Sequence, residues 1–362
     1  MHQCSHRPGI WWMMAILGIM SCNNSPEPQP SQLKFYAADD SSIQYTVRID
    51  MSNPQLPRFW QPGVYIIAMF EGDTCQVILR DEELWGTKHN YVHLQLDDQE
   101  MRVQMRSSQD TFLLVADKPA ISHKLIIAKN TEANNGYLEL VGIRCRKLLA
   151  PPARPTRKME FIGNSITCGA GADTSGIPCG KGQWEDQHNA WASYGSITAR
   201  SLNASFHLSA VSGIGLMHSC CNLDILMPQV FDKVSMRDNR ITWDFAKYQP
   251  DVVTVCLGHN DGIQDSTEFC NRYIGFLQQI RKHYPAATIV CLSSPMADER
   301  LNAILQAYLT AIVRKVTKSD SSVHSFFYSK RYYRGCDTHP DLAEHREMAK
   351  ELSGFIRKVM NW

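Results

Sequence analysis

Three prolines within five positions, in Ala150-Pro151-Pro152-Ala153-Arg154-Pro155, divide this 362-residue chain into two stretches of unlike rhythm. Proline lacks the N–H that a helix interior or a sheet ladder needs, so neither element runs through this segment. Before it, from about Tyr36 to Arg146, short extended runs alternate with turn residues. The runs are Ile43–Ile49, Val64–Phe70, Cys75–Leu79, Tyr91–Leu96, Met101–Met105, Lys124–Ala128 and Tyr137–Cys145. Pro62-Gly63, Glu71-Gly72-Asp73, Asp97-Asp98 and Asn134-Asn135-Gly136 separate them, and no helical period is visible. Strands at this spacing predict an antiparallel β-sandwich over residues 36–150.

After the prolines the rhythm becomes strand, loop, long helix. Lys158–Gly163, Ser205–Val211, Asp251–Leu257, Thr288–Ser293 and Val323–Tyr328 read as strands. His188–Leu202, Thr267–His283, a stretch from about Glu299 to Lys315, and Leu342–Met360 read as helices. Near-continuous apolar strands alternating with such helices predict an α/β domain over residues 156–362, its parallel sheet covered on both faces. Ligands of such sheets bind beyond the carboxyl ends of the strands. The loops after Ile162, Val211, Leu257 and Tyr328 are therefore where a site is expected.

Composition removes some classes of function. Basic and acidic residues number 37 and 36, and no basic run is interleaved with aromatics, which argues against a nucleic-acid partner. Residues 1–22 differ from the rest: Arg7 precedes the uncharged apolar run Gly9–Met20, too short to span a bilayer. Ser21-Cys22 follows, then a proline-rich linker over residues 23–35. A hydrophobic run ending in a small residue and cysteine resembles a bacterial lipoprotein signal, with Cys22 the lipidated residue and the protein exported to the periplasm or outer membrane. An ordinary cleaved signal, or merely a disordered N-terminus, is the alternative. Membrane association is expected through that lipid alone. The ten cysteines beyond the leader show no spacing that dictates a pairing, and buried thiols are as reasonable as bridges. No CxxC or HExxH occurs, so neither a metal nor another cofactor is expected.

The four marked loops each carry a chemically useful group. The first holds Gly163-Asn164-Ser165, placing a hydroxyl just beyond a strand. The second holds Ser212-Gly213-Ile214-Gly215, where glycine lets a main-chain amide approach a ligand. Such an amide directed at a developing alkoxide is one half of an oxyanion hole. Gly213 is the expected donor, with Gly215 the alternative. The third holds Gly258-His259-Asn260-Asp261, whose Asn260 amide offers a second donor. The fourth holds Gly335-Cys336-Asp337-Thr338-His339-Pro340: His339 suits proton transfer, and Asp337 is placed to accept from its far nitrogen. Any one of these is an ordinary turn or helix cap. Together they supply a nucleophile, a base, a carboxylate and oxyanion donors.

In this order the four segments resemble the SGNH, or GDSL-type, hydrolase superfamily, with Ser165, Gly213, Asn260 and His339 as its four named residues. The preceding sandwich, Gly-Asn-Ser-Ile-Thr-Cys-Gly and Gly-Cys-Asp-Thr-His-Pro resemble more narrowly the second carbohydrate-esterase family of two-domain acetyl-xylan esterases. That resemblance implies a jelly-roll-like first domain and a three-layer hydrolase domain. It also implies serine-dependent removal of acetyl groups from an acetylated polysaccharide or oligosaccharide, such as xylan or glucomannan, without a metal. Asn164 stands where the broad superfamily has aspartate, and Asp337 precedes His339 by two residues, where most of the superfamily has three. Trp184, Trp191 and Tyr333 are candidate sugar contacts, with Trp191 also suited to a core. The competing readings are the same chemistry on a sialate, lipid or host-glycan ester, and a non-catalytic glycan-binding lipoprotein.

Overall fold

The computed structural model describes Met1, residues 33–46 and residues 48–362. The expected signal run, Cys22 and residues 23–32 of the linker lie outside the described residues.

The first half is antiparallel throughout, and its spine is the 17-residue strand Tyr65–Asp81. The early part of this strand pairs with His123–Lys129; the later part pairs with Gln109–Val115 and Leu138–Leu149. Register with Leu138–Leu149 slips between Glu71 and Cys75. Such a slip bends the strand and increases its twist, so one strand serves both layers of the sandwich. Sequence spacing places a turn at Glu71-Gly72-Asp73, but the strand runs through it because the bulge absorbs the bend. Gln109–Val115 is a strand that the apolar pattern does not announce, since nearly all of it stays exposed or half-exposed.

Alternation along these strands sorts side chains between two cores. Ile66, Ala68, Phe70, Leu125 and Ile127 point into the sandwich. Tyr65, Ile67, Ile126 and Ala128 point the other way, onto Phe161, Trp191, Phe206 and Leu208 of the second half. The sandwich is thus apolar on both sides of these strands, and Leu33–Trp362 forms one compact unit. Arg48 reinforces the junction. Its fully buried guanidinium lies 3.0 Å from Glu160 and over the rings of Phe231, Trp243 and Phe245. Ser209 and Tyr284 donate to the same Glu160 carboxylate.

The second half is built on five parallel strands in the spatial order Ala204–Ala210, Arg157–Gly163, Val252–Val255, Thr288–Leu292, Val323–Phe326. Tyr194–Ser201 and Leu342–Met360 contribute to the core on one face, and Ser266–His283 and Glu299–Val316 to the core on the other. This is the expected three-layer α/β arrangement after an antiparallel sandwich. Arg157–Gly163 has a neighbour on each side, reached by connections that leave in opposite directions, so the sheet's switch point lies at its carboxyl end. The predicted helix His188–Leu202 is α-helical only over Tyr194–Ser201, preceded by the single 3-10 turn Ala190–Ala192. In that turn Asn130 of the sandwich accepts from Ala190 N and Trp191 N, so tertiary bonds take amides that a continuous α-helix would have used.

Candidate active site

Ser165 lies at the switch point. It is the first residue of the short helix Ser165–Cys168, and Asn164 caps that helix by accepting from Ile166 N at 3.2 Å. The strand-to-helix turn has no room for a side chain before the cap: a Cβ on Gly163 would stand 2.1 Å from Thr167 Oγ1. His339, 174 residues later, comes from the loop that precedes the last helix. Its Nε2 is 2.8 Å from Ser165 Oγ.

The other imidazole nitrogen corrects an expectation. Nδ1 faces the main-chain carbonyls of Cys336 at 3.1 Å and Asp337 at 3.2 Å. The Asp337 carboxylate is not its acceptor; that side chain is exposed at the cavity rim. The reason is local: Asp337 and Thr338 both adopt left-handed conformations, φ 48° and 59°. They turn carbonyls, rather than the Asp337 side chain, toward the ring. A carbonyl can only accept, so the network assigns the proton to Nδ1 and the lone pair to Nε2, facing the serine hydroxyl. Burial holds the pKa of His339 below the ordinary imidazole value, against the raising effect of the two carbonyls and the Asp337 charge. The ring is neutral at pH 7 and competent to take a proton.

Gly213 has φ +81° and lines the cavity above Ser165. Of the two glycines, Gly215 has already given its amide to Ser219 Oγ at 3.0 Å and is absent from the cavity wall. Asn260 also lines the cavity, and its Nδ2 donates to Ile214 O at 2.8 Å, leaving one of the two amide hydrogens uncommitted. Its neighbour Asp261 is buried and accepts from Leu216 N, Met217 N and His218 N. That carboxylate locks the Gly213 loop onto the Asn260 loop, a role hidden in the sequence by an ordinary-looking Asn-Asp turn.

Residues 45–152 match the Carbohydrate esterase 2 N-terminal family, and residues 161–351 match the GDSL-like Lipase/Acylhydrolase family. Two solved structures of a family two carbohydrate esterase from Clostridium thermocellum are 30% and 29% identical, the second of them in complex with cellohexaose. Each has a TM-score of 0.81; they cover 89% and 88% of this chain and 100% and 99% of their own. The chain belongs to the second carbohydrate-esterase family. An acetylxylan esterase / glucomannan deacetylase of Cellvibrio japonicus is 27% identical over 95% of this family member and 96% of its own length. The cellulase/esterase CelE of Acetivibrio thermocellus is 30% identical over 90% of this chain, which spans 40% of CelE.

The cavity of this family member holds about 740 Å³ and is walled by both halves of the chain. Trp184 lines it and stands edge-on to the His339 ring, with centroids 5.4 Å apart. Trp191 does not reach it: only 4% exposed, it packs against Tyr65, His93 and Phe206 in the core shared with the sandwich. Tyr333 is exposed but lies outside the wall, where Arg331 stacks on its ring. Nothing in the sequence marks a site residue in the sandwich, yet Trp85, Lys88, Glu132, Asn134 and Asn135 line the cavity. Trp85, 75% exposed and at φ 59° beside Gly86, carries the one local signal available, an aromatic set in a turn. His259 also lines the wall with Nδ1 3.0 Å from Ser294 Oγ. Burial, helped by His339, pushes its pKa down to about 4, so it adds no charge beside His339.

Two disulfides frame the cavity, both unanticipated by cysteine spacing. Cys179–Cys336 ties the long loop after Ser165 to the His339 loop, and Cys220–Cys221 joins neighbours on the cavity wall. The other six described cysteines are unpaired, and five of them are buried.

Proposed function

We propose that this protein is a serine esterase that removes O-acetyl groups from a polysaccharide, acetylated xylan or glucomannan, through an acyl-enzyme. The observation that carries this reading is the 2.8 Å contact between Ser165 Oγ and His339 Nε2 at the floor of a cavity open to solvent and walled by tryptophans. His339 takes the hydroxyl proton as Oγ attacks the acetyl carbon, and the carbonyl π pair moves onto oxygen. The Gly213 amide and the free hydrogen of Asn260 Nδ2 serve as donors to that oxyanion. Collapse breaks the bond to the sugar oxygen, which leaves with the proton from Nε2. Water then attacks the acetyl-serine with His339 again the base, and acetate departs. Neither a metal nor a cofactor enters these steps.

Substrate class rests on the names of the similar proteins and on the Trp184 and Trp85 rings, whose faces suit the apolar face of a pyranose. Export and anchoring through Cys22 fit the signal-like leader and the Cys179–Cys336 bridge, which belongs in an oxidising compartment. Acetate release from acetylated xylan, glucomannan and pectin by the parent and by Ser165→Ala tests the reading. Release from xylan or glucomannan that vanishes in Ser165→Ala supports it. Parent-rate release by the variant refutes it.

A further inference from the structure

Glu132 belongs to the sandwich, in the turn between strands His123–Lys129 and Leu138–Leu149, yet its carboxylate reaches the reacting end of the other half. One oxygen, Oε2, accepts from Ser212 N at 2.6 Å and from Cys168 Sγ at 3.7 Å. Ser212 directly precedes Gly213. Cys168 closes the short helix that begins at Ser165. A single carboxylate oxygen from the first half therefore sits between the loop of the proposed oxyanion donor and the helix of the proposed nucleophile. The turn that presents it is itself fixed from below, because the buried Lys129 Nζ donates to Thr131 O at 2.8 Å and Glu132 O at 2.9 Å.

Burying a carboxylate is costly unless its bonds repay the lost hydration. Glu132 is 1% exposed and forms no ion pair among the described residues. An apolar side chain would serve better if the position only filled space between the halves. What a carboxylate supplies here is a fixed acceptor for the amide beside Gly213, which sets the tilt of that peptide. Oxyanion donors contribute only when aimed at where charge develops, so that tilt matters to rate more than to binding.

We infer that Glu132 is a positioning residue through which the sandwich orients the Ser212-Gly213 segment for the acyl-transfer step. The inference rests on the serine-esterase reading above. It gives the sandwich a direct part in turnover, separate from any contact with glycan.

Steady-state hydrolysis of 4-nitrophenyl acetate by Glu132→Gln, Glu132→Leu and Glu132→Ala tests it, with melting temperature and inhibition by methylboronic acid measured on each. Glutamine keeps an acceptor oxygen for Ser212 N and is expected to stay near the parent rate. Leucine keeps bulk but no acceptor; its kcat is expected to fall roughly 10- to 100-fold at little-changed KM. Boronate affinity, which reports the tetrahedral adduct, is expected to weaken by a similar factor. Should the leucine variant not fold, the alanine variant is read in the same way. Parent-like kcat in a folded leucine or alanine variant overturns the inference, as does a glutamine variant as slow as the leucine one. Ser165→Ala separates the two levels: an active Ser165→Ala removes the underlying reading. An inactive Ser165→Ala beside a fast Glu132→Leu removes only the role of Glu132.

Discussion

The imidazole Nδ1 of His339 lies 3.1 Å from the main-chain carbonyl of Cys336, and Cys336 is bridged to Cys179 on the loop that carries Trp184. The proposed base is thus oriented by backbone, and that backbone is held by a covalent tie to the loop that leads to Trp184. Cys336 N also donates to Gly171 O at 2.8 Å, closing the same loop onto the nucleophile's side.

Main-chain orientation makes Asp337 dispensable for aligning the ring. Asp337→Asn preserves a residue type that tolerates the left-handed conformation and leaves both carbonyl acceptors in place. Its kcat is expected to drop less than about tenfold, against roughly 10⁴-fold where a buried carboxylate fixes the imidazole. Steady-state kinetics on 4-nitrophenyl acetate measures this, and a loss of several orders of magnitude would show that the carboxylate swings onto Nδ1 during turnover.

The pH profile follows from the same group. Only neutral His339 accepts the serine proton, and burial lowers its pKa, so the acidic limb of kcat/KM is expected below the ordinary imidazole value of about 6.5. The Asp337 charge favours the imidazolium and opposes that lowering. Removing it in Asp337→Asn therefore moves the limb further toward acid. A limb that moves toward neutral pH in the variant contradicts the electrostatic account.

Breaking the Cys179–Cys336 bridge is expected to cost both stability and turnover. The bridge spans 157 residues of sequence, and removing a native disulfide typically costs about 2–5 kcal/mol. In the double variant Cys179→Ser, Cys336→Ser the carbonyl of residue 336 survives but loses its tether. A lower melting temperature with lower kcat is the expected pair, and dithiothreitol should reproduce it in the parent. Unchanged values in both assays would reduce the bridge to an accessory.

Aromatic walls predict a split between small and polymeric substrates. Trp85 projects from an exposed turn of the sandwich, so Trp85→Ala should leave 4-nitrophenyl acetate turnover unaltered. On acetylated oligosaccharide it should raise KM by about fivefold or more, the equivalent of roughly 1 kcal/mol for a truncated aromatic contact. Trp184→Ala removes a ring that touches His339 and should lower kcat on both. Equal behaviour of the two variants on both substrates would deny the sandwich a place in substrate binding.

Arg48→Met tests the junction of the two halves. It strands a fully buried Glu160 carboxylate, left with the hydroxyls of Ser209 and Tyr284 and with His207 Nε2 at 3.9 Å. Unpairing a buried charge costs about 3–5 kcal/mol. The melting transition should fall accordingly and remain single, because Tyr65, Ile67, Ile126 and Ala128 bind the halves into one core. Two separate transitions would show that the halves fold independently.

By itself the sequence determined the two rhythms, the proline division, the strand-end loops and the residue types within them. Those signals are local: apolar period, turn chemistry and the order of four short segments along one strand-and-helix pattern. From them Ser165 and His339 were legible, because a parallel sheet sends every such loop to the same edge whatever lies between. Tertiary structure decided everything that depends on distant chain meeting. It replaced the Asp337 carboxylate by two carbonyls, since left-handed backbone at residues 337 and 338 cannot be read from residue type. It spent the Gly215 amide on Ser219 and left Gly213 on the cavity wall, and it sent Trp191 into a core that exists only where the sandwich packs. It also brought Glu132 and Trp85 to a cavity whose chemistry is encoded in the other half of the chain, a placement set by packing between halves and absent from any local pattern.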